Sequence, residues 1–320
     1  MASVALGCKT KSDSNNEYAY IGGEIINPKN KTIVLYNTKG QVVDSLTLDA
    51  NNRFLHKITN LQSGLHSLTH GGEYQMILLE PNDSIMFRLN TYDFDESLVF
   101  TGSGAKKNNY LIKTYLSNEK EAKHLVKYSK MEPEMFHDFV EKRRKKQLKE
   151  FHEFLEHNEG SEFFKSIIEA NINYNTYADK EIYPFAYFGN NKLIHIKDLP
   201  DDFYAHRANV DYNANHLSHF FSYNRFLFSH IDNLAIESYY KNNPYHSKFD
   251  RHAIDYNKSK LDLIDSIIIN KTIKNNLLKY KARDFISHNH TAIEASEILD
   301  YYLEKSTNED DKTYLKEQIK

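Results

Sequence analysis

Between Tyr18 and Leu98 the chain alternates short apolar runs with turn residues, and after Gly104 the apolar spacing becomes helical. The densest stretch spans 71–111, GGEYQMILLEPNDSIMFRLNTYDFDESLVFTGSGAKKNNYL. In it, Tyr74 to Leu79 is apolar with few interruptions, while Ile85 to Leu89 alternates apolar with polar or charged residues. Between the two lies Glu80-Pro81-Asn82-Asp83-Ser84. Proline presets φ at a first corner, and Asn82 and Asp83 tolerate the left-handed corner that follows. The pattern predicts a β-hairpin. Leu98 to Phe100 predicts one more short strand, and Gly102-Ser103-Gly104 closes it before Tyr110, Leu111, Thr114 and Tyr115 take up helical spacing.

Upstream, strands are predicted at Tyr20–Ile26, Thr32–Tyr36, Val42–Leu48, Phe54–Ile58 and Leu65–Thr69, with turn clusters such as Asn37-Thr38-Lys39-Gly40 between them. His66 and His70, at alternating positions, read as surface or cross-strand residues. Downstream, helices are predicted from Ala105 to Lys130, from Pro133 (which suits a first turn) to about His157, and from a Ser161 cap onward. Tyr183 to Pro200 reads as a loop crossing. An aromatic helix is expected over Leu217–Tyr240, then further helices over Leu261–Ile269, Ile273–His288, Thr291–Lys305 and Thr313–Lys320. The fold class that follows is α+β: an N-terminal antiparallel β-sandwich or open barrel, then an all-α helical domain. The expected organisation is 1–17 as a tether, 18–103 as the β domain and 104–320 as the helical domain.

A length of 320 residues suits two domains, and 40% apolar residues suffice for two cores. A net charge of −3 offers no general attraction to nucleic acid, which is excluded as a partner. No apolar run is long enough to span a bilayer. The single cysteine, Cys8, rules out an intramolecular disulfide and a CxxC pair within these residues. Its surroundings, Val4-Ala5-Leu6-Gly7-Cys8 followed by a polar Lys/Ser/Asp/Asn tail, have the pattern of a bacterial lipoprotein processing site, although Ala5 stands where such sites usually carry leucine. Cys8 is therefore the expected lipidation residue. It implies a membrane partner through an N-terminal lipid and a location in the cell envelope, on the periplasmic face of a bacterial membrane.

Candidate chemistry elsewhere is sparse. His216 and His219, three apart with Asp211 upstream and His230 downstream, have a spacing that can share a metal. No HExxH pattern accompanies them, so no metal or other cofactor is assigned. The aromatic series Phe203, Tyr204, Tyr212, Phe220, Phe221, Tyr223, Phe226 and Phe228 reads first as core. Tyr212, His216, Phe220 and Tyr223 are the residues that would line a ligand cleft against the β domain. Lys142-Arg143-Arg144-Lys145-Lys146 reads as a solvated helix face, because consecutive residues spread around a helix. Gly102-Ser103-Gly104 reads as a joint between domains and not as an anion loop. No catalytic residue is assigned.

Ile77-Leu78-Leu79-Glu80-Pro81-Asn82-Asp83-Ser84-Ile85 and Phe100-Thr101-Gly102-Ser103-Gly104-Ala105-Lys106-Lys107-Asn108-Asn109-Tyr110-Leu111 together resemble the N-terminal region of thioredoxin-like (TlpA/ResA-like) thiol–disulfide oxidoreductase lipoproteins of Gram-negative envelopes. The resemblance covers residues 18–120. In that family a CxxC thioredoxin domain follows the helical segment; these residues carry no CxxC, so redox activity transfers to none of them. The resemblance implies a non-catalytic, lipid-anchored region that binds or positions an envelope or redox partner. The alternatives are a ligand-binding module with its cleft beside the aromatic helices, and a metal-dependent enzyme using His216, His219 and an acid.

Overall fold

The computed structural model describes residues 17–189, 198–242, 250–288 and 291–318. It is α+β, with strands first and helices after, as the hydrophobic pattern predicts. The strands are β1 (Tyr18–Ile26), β2 (Thr32–Tyr36), β3 (Val42–Thr47), β4 (Arg53–Thr59), β5 (Gly64–His70), β6 (Glu73–Leu79), β7 (Ser84–Asn90) and β8 (Val99–Ser103). They form two four-stranded sheets, ordered β4-β1-β7-β8 and β3-β2-β5-β6. Every pairing is antiparallel except β1 with β7, which run parallel. The inner faces carry the alternating apolar residues: Ile21, Ile25, Ile85, Phe87 and Leu89 from one sheet, Ile33, Leu35, Leu68, Ile77 and Leu79 from the other. Phe54, Phe87 and Phe100 meet edge to face, with centroids 5.5 and 6.1 Å apart.

The expected hairpin around Pro81 is not one. β6 pairs with β5, whereas β7 pairs with β1 and β8, so the 80–84 turn is a corner that carries the chain from one sheet to the other. The local chemistry was read correctly: Asn82 sits at φ 68° and the Asp83 amide donates to the Glu80 carbonyl. What the turn docks onto is β1, through Asn82 N to Tyr18 O and Tyr20 N to Asp83 O. His66 and His70 are buried, on the same face of β5 as Leu68. His66 Nε2–H donates to Gln62 O, and His70 Nδ1–H donates to Thr32 O while its Nε2 accepts from Lys29 N.

The helices are α1 (Ala105–Ala122), α2 (Leu125–Tyr128), α3 (Pro133–His157), α4 (Glu162–Phe188), α5 (Phe221–Asn242), α6 (Ile254–Ile267), α7 (Lys271–Ile286), α8 (Ala292–Lys305) and α9 (Glu309–Gln318). Ser161 caps α4, Asn270 caps α7, and Thr291 with Glu294 forms a full capping box on α8. The predicted loop from Tyr183 begins too early: α4 passes through Pro184 and ends at Gly189, while 190–197 lie outside the described residues.

Two compact units divide between Leu116 and Ser117, so the first turns of α1 belong with the sheets. Ala105 and Ile112 join the sandwich core, and two asparagines fix the helix to it. The Asn108 carboxamide accepts from Leu78 N at 2.8 Å and donates to Leu78 O at 2.9 Å; Asn109 does the same with Phe100 N and O at 2.9 and 2.8 Å. Leu78 and Phe100 lie on β6 and β8, the edge strands of the two sheets, so each side chain completes an edge that would otherwise lie unpaired. Lys107 pairs with Glu80 and Asp83 at 2.7 and 2.6 Å. A side chain at Gly104 (φ 90°) would come within 2.4 Å of the Asp83 carboxylate, so glycine is required there.

Asn108→Ala is expected to cost about 2–4 kcal/mol, because two buried backbone groups of Leu78 lose their partners. Urea unfolding and amide exchange check it: protection of the Leu78 amide should fall while that of β2 is retained. Unchanged protection at Leu78 contradicts the latch.

Candidate functional site

Among the described residues, the densest buried chemistry lies in the helical unit, along α4. Ala178, Asp179, Lys180 and Glu181 are consecutive and all buried. Successive residues of a helix point about 100° apart, so the three charges address different neighbours. Asp179 receives Arg143 of α3 and, at 2.6 Å, Arg225 of α5. Lys180 reaches Glu141 of α3 at 3.3 Å and lies over the Phe203 ring. Glu181 turns toward α5 and the short 3₁₀ turn Ala205–Asn209.

The Glu181 carboxylate is saturated. Its Oε1 accepts from His206 Nε2 (3.0 Å), His230 Nδ1 (2.9 Å) and Arg207 Nε (2.9 Å). Its Oε2 accepts from Arg207 Nη2 (2.7 Å) and Asn233 Nδ2 (2.6 Å). Arg207 also pairs with Glu237 and stacks on Tyr204, 3.5 Å from the ring centroid. Burial pulls the Glu181 carboxyl upward, but the bonds from His206, His230 and Arg207 outweigh it and hold the group well below the ordinary carboxylate range. Burial lowers His206, only partly offset by the Glu181 bond, and leaves it a neutral donor through Nε2. Arg207 is raised: burial opposes its charge, and the Glu181 carboxylate more than compensates.

In the neutral imidazole that gives its Nδ1–H to Glu181, Nε2 accepts the Tyr212 hydroxyl at 2.8 Å. Glu181, His230 and Tyr212 thus stand in the order carboxylate, imidazole, hydroxyl that acid–base relays use. Two features oppose that use. Arg207 holds the carboxylate in a bidentate fork, and burial raises the Tyr212 hydroxyl above its ordinary value and so disfavours phenolate. Phe226 stacks on His230 with centroids 5.0 Å apart, and His230 is buried. The cluster is an internal clasp. A second one sits on α5, where Asp232 receives Lys281 of α7 at 2.7 Å and Lys260 of α6 at 3.2 Å. Burial pulls Lys281 down to about 8 despite Asp232.

The sequence-derived residues scatter across this framework. Cys8 lies outside the described residues. Tyr212 joins the clasp, and Tyr223 is buried with its hydroxyl on Asp211 O. Phe220 is buried just ahead of α5. His216 is exposed in a 3₁₀ turn and meets the Phe163 ring edge to face, with centroids 6.2 Å apart. No group of three or more His, Cys, Asp or Glu among the described residues is arranged to hold a metal ion, and His230 turns to Glu181, not to His216. Of the basic run, Arg143 and Arg144 turn inward to Asp179 and Glu141, while Lys142, Lys145 and Lys146 are solvated. Glu181, His206 and Arg207 escaped notice in the sequence. The signal was there: an Asp-Lys-Glu run occupies every face of a helix whose flanks are apolar. No helix of the described residues is long and apolar enough to cross a membrane. No family model, curated protein or solved structure matches the chain.

Glu181→Gln is expected to cost about 3–5 kcal/mol by removing the buried carboxylate that holds Arg207 in a bidentate fork, with only Glu237 left to pair with it, read by urea unfolding; a loss below about 1 kcal/mol contradicts the clasp. Acid should act in two stages. His206, depressed below 6.5, contributes fully above that value and loses its contribution as the pH falls through the folded value. Glu181, depressed below 4.5, does the same at lower pH. Unfolding free energy should therefore begin to fall just below pH 6.5, with a smaller slope there in His206→Gln. Identical slopes contradict the assignment.

Proposed function

We propose that the chain is a non-catalytic, lipid-anchored cell-envelope module that binds or positions a partner, as the N-terminal part of a thioredoxin-like thiol–disulfide oxidoreductase. The observation that carries the non-catalytic reading is the saturation of Glu181: the one buried carboxylate–imidazole–hydroxyl chain in the described residues is locked by five donor contacts. A working acid or base needs a pKa near the operating pH and an open side toward substrate, and this carboxyl has neither. The oxidoreductase affiliation is supported by the resemblance of 77–85 and 100–111. In this chain Glu80, Asp83, Gly104, Lys107, Asn108 and Asn109 are all used to seat α1 on the two sheets, which suits a scaffold that presents a following domain. Anchoring is supported by the small-residue-then-cysteine boundary at Cys8 and its polar tether.

A second reading, a ligand-binding module, draws on a different observation. The outer face of the β4-β1-β7-β8 sheet carries an open groove of about 570 Å³.

Two outcomes are expected. Expressed in a bacterial host with its full upstream coding context, the chain should fractionate with membranes, and Cys8→Ser should move it to the soluble fraction; unchanged fractionation contradicts anchoring. Purified residues 1–320 should not catalyse insulin reduction by dithiothreitol, since disulfide exchange needs an attacking and a resolving thiol. Turnover above background that survives Cys8→Ser contradicts the non-redox reading.

A further inference from the structure

Strand registers place three rows of side chains on the outer face of the β4-β1-β7-β8 sheet. One row reads Arg53, Glu24, Arg88, Val99; the next reads Leu55, Gly22, Met86, Thr101; the third reads Lys57, Tyr20, Ser84, Ser103. Leu55, Met86 and Val99, on β4, β7 and β8, are 66%, 38% and 54% exposed, an unusual amount of apolar surface for one sheet face. The groove runs along the first two rows and is walled at one end by Ser97. Its volume falls within the range of small-ligand sites.

The charges on this face do not balance. Glu24 is taken by Arg53 at 3.3 Å, and Lys57 lies over the Tyr18 ring. Arg88 is exposed and has no ion pair among the described residues. An unpaired cation on an edge strand is readily explained, because it discourages pairing with a foreign strand. β7 is not an edge strand: it lies between β1 and β8. Arg88 therefore stands as an uncommitted planar cation over the middle of a groove whose floor is Met86 and Val99. Guanidinium is the group suited to bidentate recognition of a carboxylate. Met86 adds adaptability: a Cβ at Gly22 would meet its sulfur at 2.8 Å, so the thioether lies across the space that glycine leaves. A flexible thioether can move aside for an apolar guest.

We propose that this groove binds an amphipathic monoanion, a single carboxylate on an apolar body, with the carboxylate on Arg88 and the body across Met86 and Val99. The proposal deepens the binding-module reading and does not depend on lipid attachment. The probe is monomeric decanoate, titrated calorimetrically into the Cys8→Ser chain, with acetate and decyltrimethylammonium as the head-only and opposite-charge controls. Saturable 1:1 binding of decanoate is expected, with at least about a tenfold weakening in Arg88→Ala from loss of a charge-assisted contact. A similar loss should follow Val99→Asp, and Arg88→Lys should recover only part of the affinity, because an ammonium keeps the charge but not the bidentate contact. Acetate and the cationic amphiphile should show no saturation. Thermal unfolding of each variant should match the parent, because all the altered side chains are exposed.

Absence of saturable decanoate binding overturns the proposal, as does equal affinity in Arg88→Ala. Sedimentation with phosphatidylglycerol vesicles without decanoate binding also overturns it, and marks the face as a membrane contact. Because the titrated chain carries no lipid, a negative result leaves the Cys8 anchor standing; soluble fractionation of the parent chain would remove the anchor and leave the groove.

Discussion

Three adjacent charges in the middle of α4 set the terms for the whole helical unit. A charge withdrawn from water must be met by opposite charge and hydrogen bonds, or it is costly beyond what a small core can offset. Asp179, Lys180 and Glu181 point in different directions, so α3, α5 and the 205–209 turn must each approach at one place and one rotation. Burying hydrocarbon in their stead could give similar stability, since the Coulombic gain and desolvation cost of such pairs nearly cancel. The charges instead forbid slippage: moving α5 by one turn would strand Glu181, Asp179 and Asp232 together. Pro184 lies within this helix and removes the amide that the Lys180 carbonyl would otherwise receive. Asn233 donates to the neighbouring Glu181 carbonyl at 2.7 Å, which braces α4 beside that gap.

The β unit meets the same requirement with backbone groups. Two stacked sheets leave strand edges whose amides and carbonyls need partners. On the β6/β8 side, Asn108 and Asn109 supply them from one turn of α1. The neighbouring Lys107, bound to Glu80 and Asp83, holds the inter-sheet corner to the same turn. The stretch with the strongest pattern in the sequence is thus a joint, and its chemistry is spent on architecture. The uncommitted chemistry lies on the outer face of the β4-β1-β7-β8 sheet, where Arg88 has no ion pair among the described residues.

Much of this was legible in the residues. The strand pattern placed β1 to β7 to within a residue or two, while β8 runs three residues past the expected Phe100, to Ser103, and Ser161, Pro133 and Thr291 marked helix starts through ordinary capping chemistry. The partner of a strand was less visible. The Glu80–Ser84 turn has the local features of a hairpin, but β7 gains more by pairing with β1 and β8 inside a second sheet, and turn chemistry does not encode that choice. The loop expected from Tyr183 ignores that α4 continues through Pro184, where Asn233 of α5, far away in sequence, braces the neighbouring Glu181 carbonyl. The Glu181 clasp was hidden for a related reason: its donors lie 25 to 52 residues downstream, so no local spacing announces it. The paired imidazoles that were visible, His216 and His219, are both exposed and belong to no group among the described residues that could hold a metal ion.

The helical unit depends on Glu181 being an ionised structural anchor and not a working acid. Carbon-13 NMR of the side-chain carboxyl of Glu181, assigned by Glu181→Gln or selective labelling, measures this directly. The Glu181 resonance should stay at its ionised position from about pH 8 to below about pH 4.5, shifting only where the helical unit unfolds. A titration midpoint between about pH 5.5 and 7.5 in the folded protein, where general acids and bases operate, would contradict it.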